Sequence, residues 1–134
     1  MKQGKNCKIW HPEKSVLLDA TIGDDCTIHG PVWIGNNVRI GNRCKVQAFA
    51  FIPEGVTIGD DVFIGPAVTF TNDKYPPSNA LKWQKIVVQD KVSIGANTTI
   101  LPGIEIGTGA RIGAGSVVTR SVKPNSQVYG NPAR

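Results

Sequence analysis

The chain has 134 residues, 15 Lys and Arg against 10 Asp and Glu for a formal charge of +5, and 15 Gly with 9 Pro. That length fits one domain, and the glycine and proline content implies many turns and little helix. No apolar run approaches the roughly 20 residues of a bilayer span, and the start MKQGKNCKIW lacks the apolar core of a signal peptide, so a cytoplasmic protein is expected. Lys and Arg are scattered, without a basic run, a recognition-helix pattern or aromatics flanked by basics, so no nucleic-acid partner is expected. Cys7, Cys26 and Cys44 fit neither a disulfide framework nor a metal-ligand spacing and read as packing residues.

From Val16 an aliphatic residue recurs every six positions: Ile22, Ile28, Ile34, Ile40, Val46, Ile52, Ile58 and Ile64, then Phe70. The series resumes in phase at Val88, Ile94, Ile100, Ile106, Ile112 and Val118. Four residues after each lies a smaller one, such as Ala20, Cys26, Val38, Cys44, Val62, Thr98, Ala110 or Ser116. Gly or paired Asn and Asp follow, as in Ile22-Gly23-Asp24-Asp25 and Ile34-Gly35-Asn36-Asn37, where tight turns are tolerated. Two inward positions per six residues predict short strands joined by turns. A fixed short period predicts a solenoid, with three sixes per triangular coil and successive coils about 4.8 Å apart. Residues eighteen apart then stack, as Cys26 on Cys44, and His11 and His29 are expected to point outward one above the other. Phe49, Phe51 and Phe63 fall at exposed positions that need covering.

Four segments carry chemistry. In Gln47-Ala48-Phe49-Ala50-Phe51-Ile52-Pro53-Glu54, the polar Gln47 and Glu54 sit beside aromatics, either to hydrogen-bond a sugar or as a subunit contact and a solvated turn. The rhythm lapses over 71–87, an extruded loop with Asn72 and Asp73 at its root and Tyr75, Pro76, Pro77, Lys82 and Trp83 beyond. Long loops on rigid scaffolds commonly carry function. Trp83 reads as an anchor. Ile94-Gly95-Ala96-Asn97 and Ile112-Gly113-Ala114-Gly115-Ser116 present small residues, and the chain ends Gly130-Asn131-Pro132-Ala133-Arg134.

The six-residue period over 16–70 and 88–123 resembles the hexapeptide-repeat family, which implies an all-β, left-handed parallel β-helix with one extruded loop and, by the habit of that family, a homotrimer with active sites between prisms. The Ile-Gly-Ala motifs and the Gly-Asn-Pro-Ala-Arg ending resemble the coenzyme A site of hexapeptide acyltransferases. That resemblance implies acetyl-CoA as co-substrate, with pantetheine against Gly95, Ala96 and Ala114 and its nucleotide and phosphates against Thr119, Arg120 and Arg134. No metal is expected. The run Phe-Thr-Asn-Asp-X-Tyr-Pro is similar to N-acetyltransferases of nucleotide-linked amino sugars, 3-amino sugars above all, that serve surface polysaccharide synthesis.

Many members of the wider family use a loop histidine to deprotonate a hydroxyl, and this loop has none. An amine with a pKa near neutrality needs positioning more than a base, which favours an amine acceptor. Asn72 and Asp73 are the candidate catalytic pair, Gln47, Glu54 and Tyr75 the candidate substrate contacts, and a backbone N–H near Gly95 or Ala96 the oxyanion donor. Two alternatives stand: an O-acetyltransferase using His11 or His29 of an adjacent subunit as base, and a non-catalytic scaffold whose loop binds a protein.

Overall fold

The computed structural model describes residues 1–134 and contains strands of two or three residues, with two short 3-10 turns, Pro12–Lys14 and Ala80–Lys82, as its helical elements. Each coil supplies one strand to each of three parallel sheets, as Arg39–Ile40, Lys45–Val46 and Phe51–Ile52 do in sequence. We call these the first, second and third faces; they hold six, seven and six strands. The aliphatic of each strand points inward and stacks on its equivalent one coil away, as Ile22 on Ile40, Val46 on Ile64, and Ile94 on Ile112. The result is one continuous core, in which Ile34, Ile52, Ile64, Phe70, Ile94, Ile100 and Ile106 are wholly buried. Such a core gains stability only by stacking, because each coil buries its apolar residues against its neighbours.

The edges between faces are held by backbone and short polar side chains. Where the first face turns into the second, Asn42 Oδ1 accepts the Asp24 N–H at 2.8 Å, Asp60 Oδ1 accepts that of Asn42 at 2.7 Å, and Asp90 Oδ1 accepts that of Asp60 at 2.8 Å. Each side chain thus satisfies a turn donor of the preceding coil that would otherwise go unpaired. Inside this edge Cys26 stacks on Cys44 as expected, with Cys7 one coil further, all three free, and Cys7, Cys26 and Cys44 donate S–H to the carbonyls of Gly23, Gly41 and Gly59. The adjoining Cys26 thiol and burial push the Cys44 thiol up, which keeps it neutral packing.

The first coil departs from the expected phase. His11 adopts a left-handed backbone (φ 56°) and Pro12–Lys14 forms a 3-10 turn that alters the residue count. Ile9 therefore lies against Ile28, nineteen residues away, and Leu17 against Ile34, seventeen away. Leu17, and not Val16, occupies the inward place, and Val16 is exposed. For the same reason Trp10, not His11, stacks on His29, ring centroids 6.5 Å apart and 11° from parallel. His11 instead faces Glu13, Nδ1 to Oε1 3.5 Å. At the loop's far end Val88 resumes in phase on Ile58 as expected, and its strand Ile86–Val88 begins pairing with Val56–Ile58 inside the expected loop 71–87. No helix is long and apolar enough to cross a membrane.

Candidate active site

The loop leaves the prism where the third face turns into the first. Thr71 is still held by the next coil, its N–H and Oγ1 both donating to the Ile100 carbonyl at 3.1 and 2.7 Å. One residue on, the Asn72 carbonyl accepts the Gln84 N–H at 2.8 Å and closes the loop's neck. The Asn72 side chain turns back onto the coil below, Nδ2 donating to the Glu54 carbonyl at 3.0 Å, and Glu54 Oε1 accepts from Asn37 Nδ2 at 3.0 Å. These bonds leave Asn72 Oδ1 and Glu54 Oε2 without partners in the chain. Both residues line a cleft of about 370 Å³ walled by Trp33, Phe51, Pro53 and Trp83. Trp33 and Phe51 come from successive coils of the third face, centroids 5.8 Å apart, while Trp83 folds over from the loop. An aromatic-walled cleft whose lining residues carry two free acceptors suits a ring with polar substituents.

Asp73 faces elsewhere. Its Oδ1 accepts the Ser78 hydroxyl at 2.6 Å and its Oδ2 the Ser78 N–H at 2.8 Å, so both oxygens are occupied in pinning the loop. The Ser78 hydroxyl, then the Ser78 N–H, hold this carboxyl below its ordinary value of 3.8. A depressed folded-state value means that closure of the loop is complete above the ordinary value and is lost as pH falls through the depressed one. The Ser78 amide signal should therefore be constant near neutrality and titrate only in acid, below the range of an ordinary aspartate. Ser78→Ala should raise the pH of that release, and a Ser78 signal flat over the whole range would remove this role. Asp73 and the exposed Tyr75 line a separate cavity beneath the loop, of about 710 Å³, with Lys74, Lys82 and Gln84. The neighbouring Asn72 and Asp73 thus serve two different spaces.

Gly95, Ala96 and Ala114 lie on another edge, between the second and third faces. Here the coils approach closely: a Cβ on Gly95 would stand 2.5 Å from the Ala114 nitrogen. The Gly95 N–H is spent on the Ile112 carbonyl at 2.9 Å, whereas the N–H groups of Ala96 and Ala114 donate to nothing in the chain. Ala96 therefore holds the free donor of the expected Gly95 or Ala96 pair. Gln47 sits on the same edge, its N–H bonded to the Ile64 carbonyl at 2.9 Å. Thr119 and Arg120 follow the strand Val117–Val118 onto the loop-bearing edge. The C-terminal tail crosses the end of the third face, with the Ala133 N–H on the Val117 carbonyl at 2.9 Å. That path brings Arg134 to Arg120 and Lys123 around a cavity of about 360 Å³.

A groove of small residues with free N–H donors fits an extended amide-bearing chain, and three cations around one cavity fit phosphates. Asn37, Trp33 and Lys123 were not singled out from sequence; Trp33 lies eighteen residues before Phe51, and that column was its signal. Trp83, expected as an anchor, is exposed and walls the cleft. No group of three or more His, Cys, Asp or Glu side chains is placed to hold a metal ion.

The family model "Bacterial transferase hexapeptide (six repeats)" matches residues 37–72 and 85–120, more than half of the chain. Galactoside O-acetyltransferase of Escherichia coli (strain K12) is 34% identical over 125 residues, 86% of this chain and 62% of the relative, so the chain spans about three fifths of that protein. A solved galactoside acetyltransferase in complex with coenzyme A superposes with a TM-score of 0.77 at 31% identity, covering 87% of this chain and 63% of that one. AntD, an N-acyltransferase from Bacillus cereus solved with dTDP and coenzyme A, has the same fold, with a TM-score of 0.81 at 23% identity over 99% of this chain and 81% of that one. Repeat, parallel coils and family match agree: the chain belongs to the bacterial hexapeptide transferases and is a left-handed parallel β-helix.

Proposed function

We propose that the chain is an acetyl-CoA-dependent N-acetyltransferase acting in the cytoplasm on the amino group of a nucleotide-linked amino-deoxy sugar, a 3-amino sugar in the first instance, for surface polysaccharide synthesis. The observation that carries this reading is the pair of unpartnered acceptors, Asn72 Oδ1 and Glu54 Oε2, on an aromatic cleft. An amine brings N–H donors to match them. Asn72 is itself oriented by its bond to the Glu54 carbonyl, so its oxygen is aimed before the substrate arrives. Asp73, held ionised by Ser78, is a poor proton acceptor near neutrality and acts by fixing the loop and favouring positive charge nearby.

Acetyl-CoA supplies the activated acyl group: the C–N bond forms as the C–S bond breaks, and the proton lost by nitrogen ends on the departing sulfur. The free Ala96 N–H supplies a donor for the carbonyl oxygen as it gains charge. Arg120, Lys123 and Arg134 hold the phosphates by charge-assisted bonds, and Thr119 completes that end. The Ala96 edge and the Asn72 edge bound opposite sides of the third face, about 15 Å apart at the rise of a strand. One copy's Ala96 groove facing another copy's Asn72 resolves that separation, which supports a homotrimer with shared sites and gives the exposed Phe63 and Phe49 a cover.

Titrating acetyl-CoA and free coenzyme A while following the melting temperature tests the cofactor half. A hundredfold excess over Kd should stabilise by about 2.7 kcal/mol. No shift at millimolar ligand would turn the reading toward the scaffold alternative. Transfer to a hydroxyl is the second reading, favoured by the galactoside O-acetyltransferase match and by His29, which shares the Ala96 edge with Gln47. Turnover of hydroxyl sugars that vanishes in His29→Asn would select it.

A further inference from the structure

The aromatic cleft does not end at Trp83. Glu54 and Trp83 also line a smaller cavity of about 210 Å³ with Gln84 and Lys85, and Gln84 lines in turn the loop cavity of about 710 Å³ that holds Lys74, Tyr75 and Lys82. The three separate spaces adjoin through these shared residues, Glu54 and Trp83 between the first two and Gln84 between the last two, and together are called the trough. Its chemistry changes along its length. The Asn72 end is aromatic with two free acceptors, and the far end is cationic.

The ammonium groups of Lys74, Lys82 and Lys85 have no carboxylate partner, since the chain's ion pairs are Arg43 with Asp61 and His11 with Glu13. Asp73, the one carboxylate in the loop cavity, is already occupied by Ser78. Tyr75 is 76% exposed, and Lys74 Nζ stands 5.7 Å from its ring centroid, which leaves the opposite ring face open.

We propose that this trough binds the nucleoside diphosphate half of the acceptor, with the diphosphate on Lys82 and Lys85 and the base stacked on Tyr75. A nucleotide-linked sugar carries a polar ring, a diphosphate and an aromatic base, and the aromatic-polar cleft, the lysines and Tyr75 offer a partner to each. Unpaired ammoniums on adjoining cavities, Lys74 and Lys82 on the larger and Lys85 on the smaller, favour a dianion, and an exposed tyrosine face is a platform for any nucleobase. This inference rests on the nucleotide-linked acceptor reading and names the residues that would recognise it. Coenzyme A also contains a diphosphate, but the cluster of Arg120, Lys123 and Arg134 serves it at the C-terminal end of the prism.

The test titrates UDP, dTDP and coenzyme A separately into wild-type protein and into the variant Lys82→Ala/Lys85→Ala, whose replaced side chains are exposed. Each lost charge-assisted contact should weaken nucleotide binding about tenfold, with coenzyme A affinity unchanged. Tyr75→Ala should weaken UDP and dTDP binding while leaving inorganic pyrophosphate binding as it was. Equal nucleotide affinity in wild type and double variant overturns the trough while the nucleotide-linked reading stands. A fall in coenzyme A affinity instead overturns it by giving the lysines to the co-substrate. Wild-type protein that binds neither nucleotide yet acetylates free amino sugars overturns the reading and the trough together.

Discussion

Asn72→Ala is expected to lower kcat by about 10²-fold with a much smaller change in KM for acetyl-CoA, because what it removes is the aimed oxygen that orients the attacking amine. Stability should fall by only about 1 kcal/mol, the worth of the bond to the Glu54 carbonyl. Asn72→Asp is the sharper probe. It keeps an oxygen at the Oδ1 position, loses the Nδ2 donor and sets a carboxylate beside the Glu54 carbonyl, so activity should fall while the fold survives. Asp73→Ala should behave differently, since it frees Ser78 and loosens the loop: acceptor KM rises more than kcat falls. Steady-state kinetics with a nucleotide-linked amino sugar separate the two, and near wild-type turnover in Asn72→Ala would sink the catalytic assignment.

Co-expression of two inactive variants should restore activity if the site is built from two copies. Ala114→Trp fills the exposed groove on one edge, and Asn72→Ala removes the acceptor on the other. Each alone should be nearly dead. Random assembly pairs an intact groove with an intact Asn72 at one site in four, so the co-expressed population as a whole should recover about a quarter of wild-type activity. Recovery at background level would place both edges' chemistry within a single prism and remove the shared site.

The period was legible because it is physically enforced: a triangular coil has two inward positions per six residues, and each must be filled by a residue that packs on its equivalent. Thr98 and Ser116 show how firmly the pattern governs, since both are buried at such places with their hydroxyls donating to the Gly113 carbonyl. The first coil escaped the same logic. Val16 and Leu17 are both aliphatic and adjacent, so hydrophobicity alone allowed either phase, and the turn at Pro12–Lys14 decided between them. The site was legible in part. Spacing modulo eighteen assigns an edge to every periodic residue, so Ala96 and Ala114 share one edge by arithmetic, and Asn72 falls on another. Inside 71–85 there is no period, and the partnership of Asp73 with Ser78 follows from loop folding that spacing does not encode.

The neck of the loop bears on how such a protein changes. The chain departs after Phe70 and returns at Gln84 through one bond to Asn72, and Ile86 is back on Val56 as though nothing intervened. The excursion is mechanically insulated: residues can be added or removed between Lys74 and Lys82 without shifting any coil. Ligand preference and scaffold integrity can then diverge independently, one exploring while the other stays fixed. A prism of this kind is a chassis on which new acceptor specificities are mounted at a single socket.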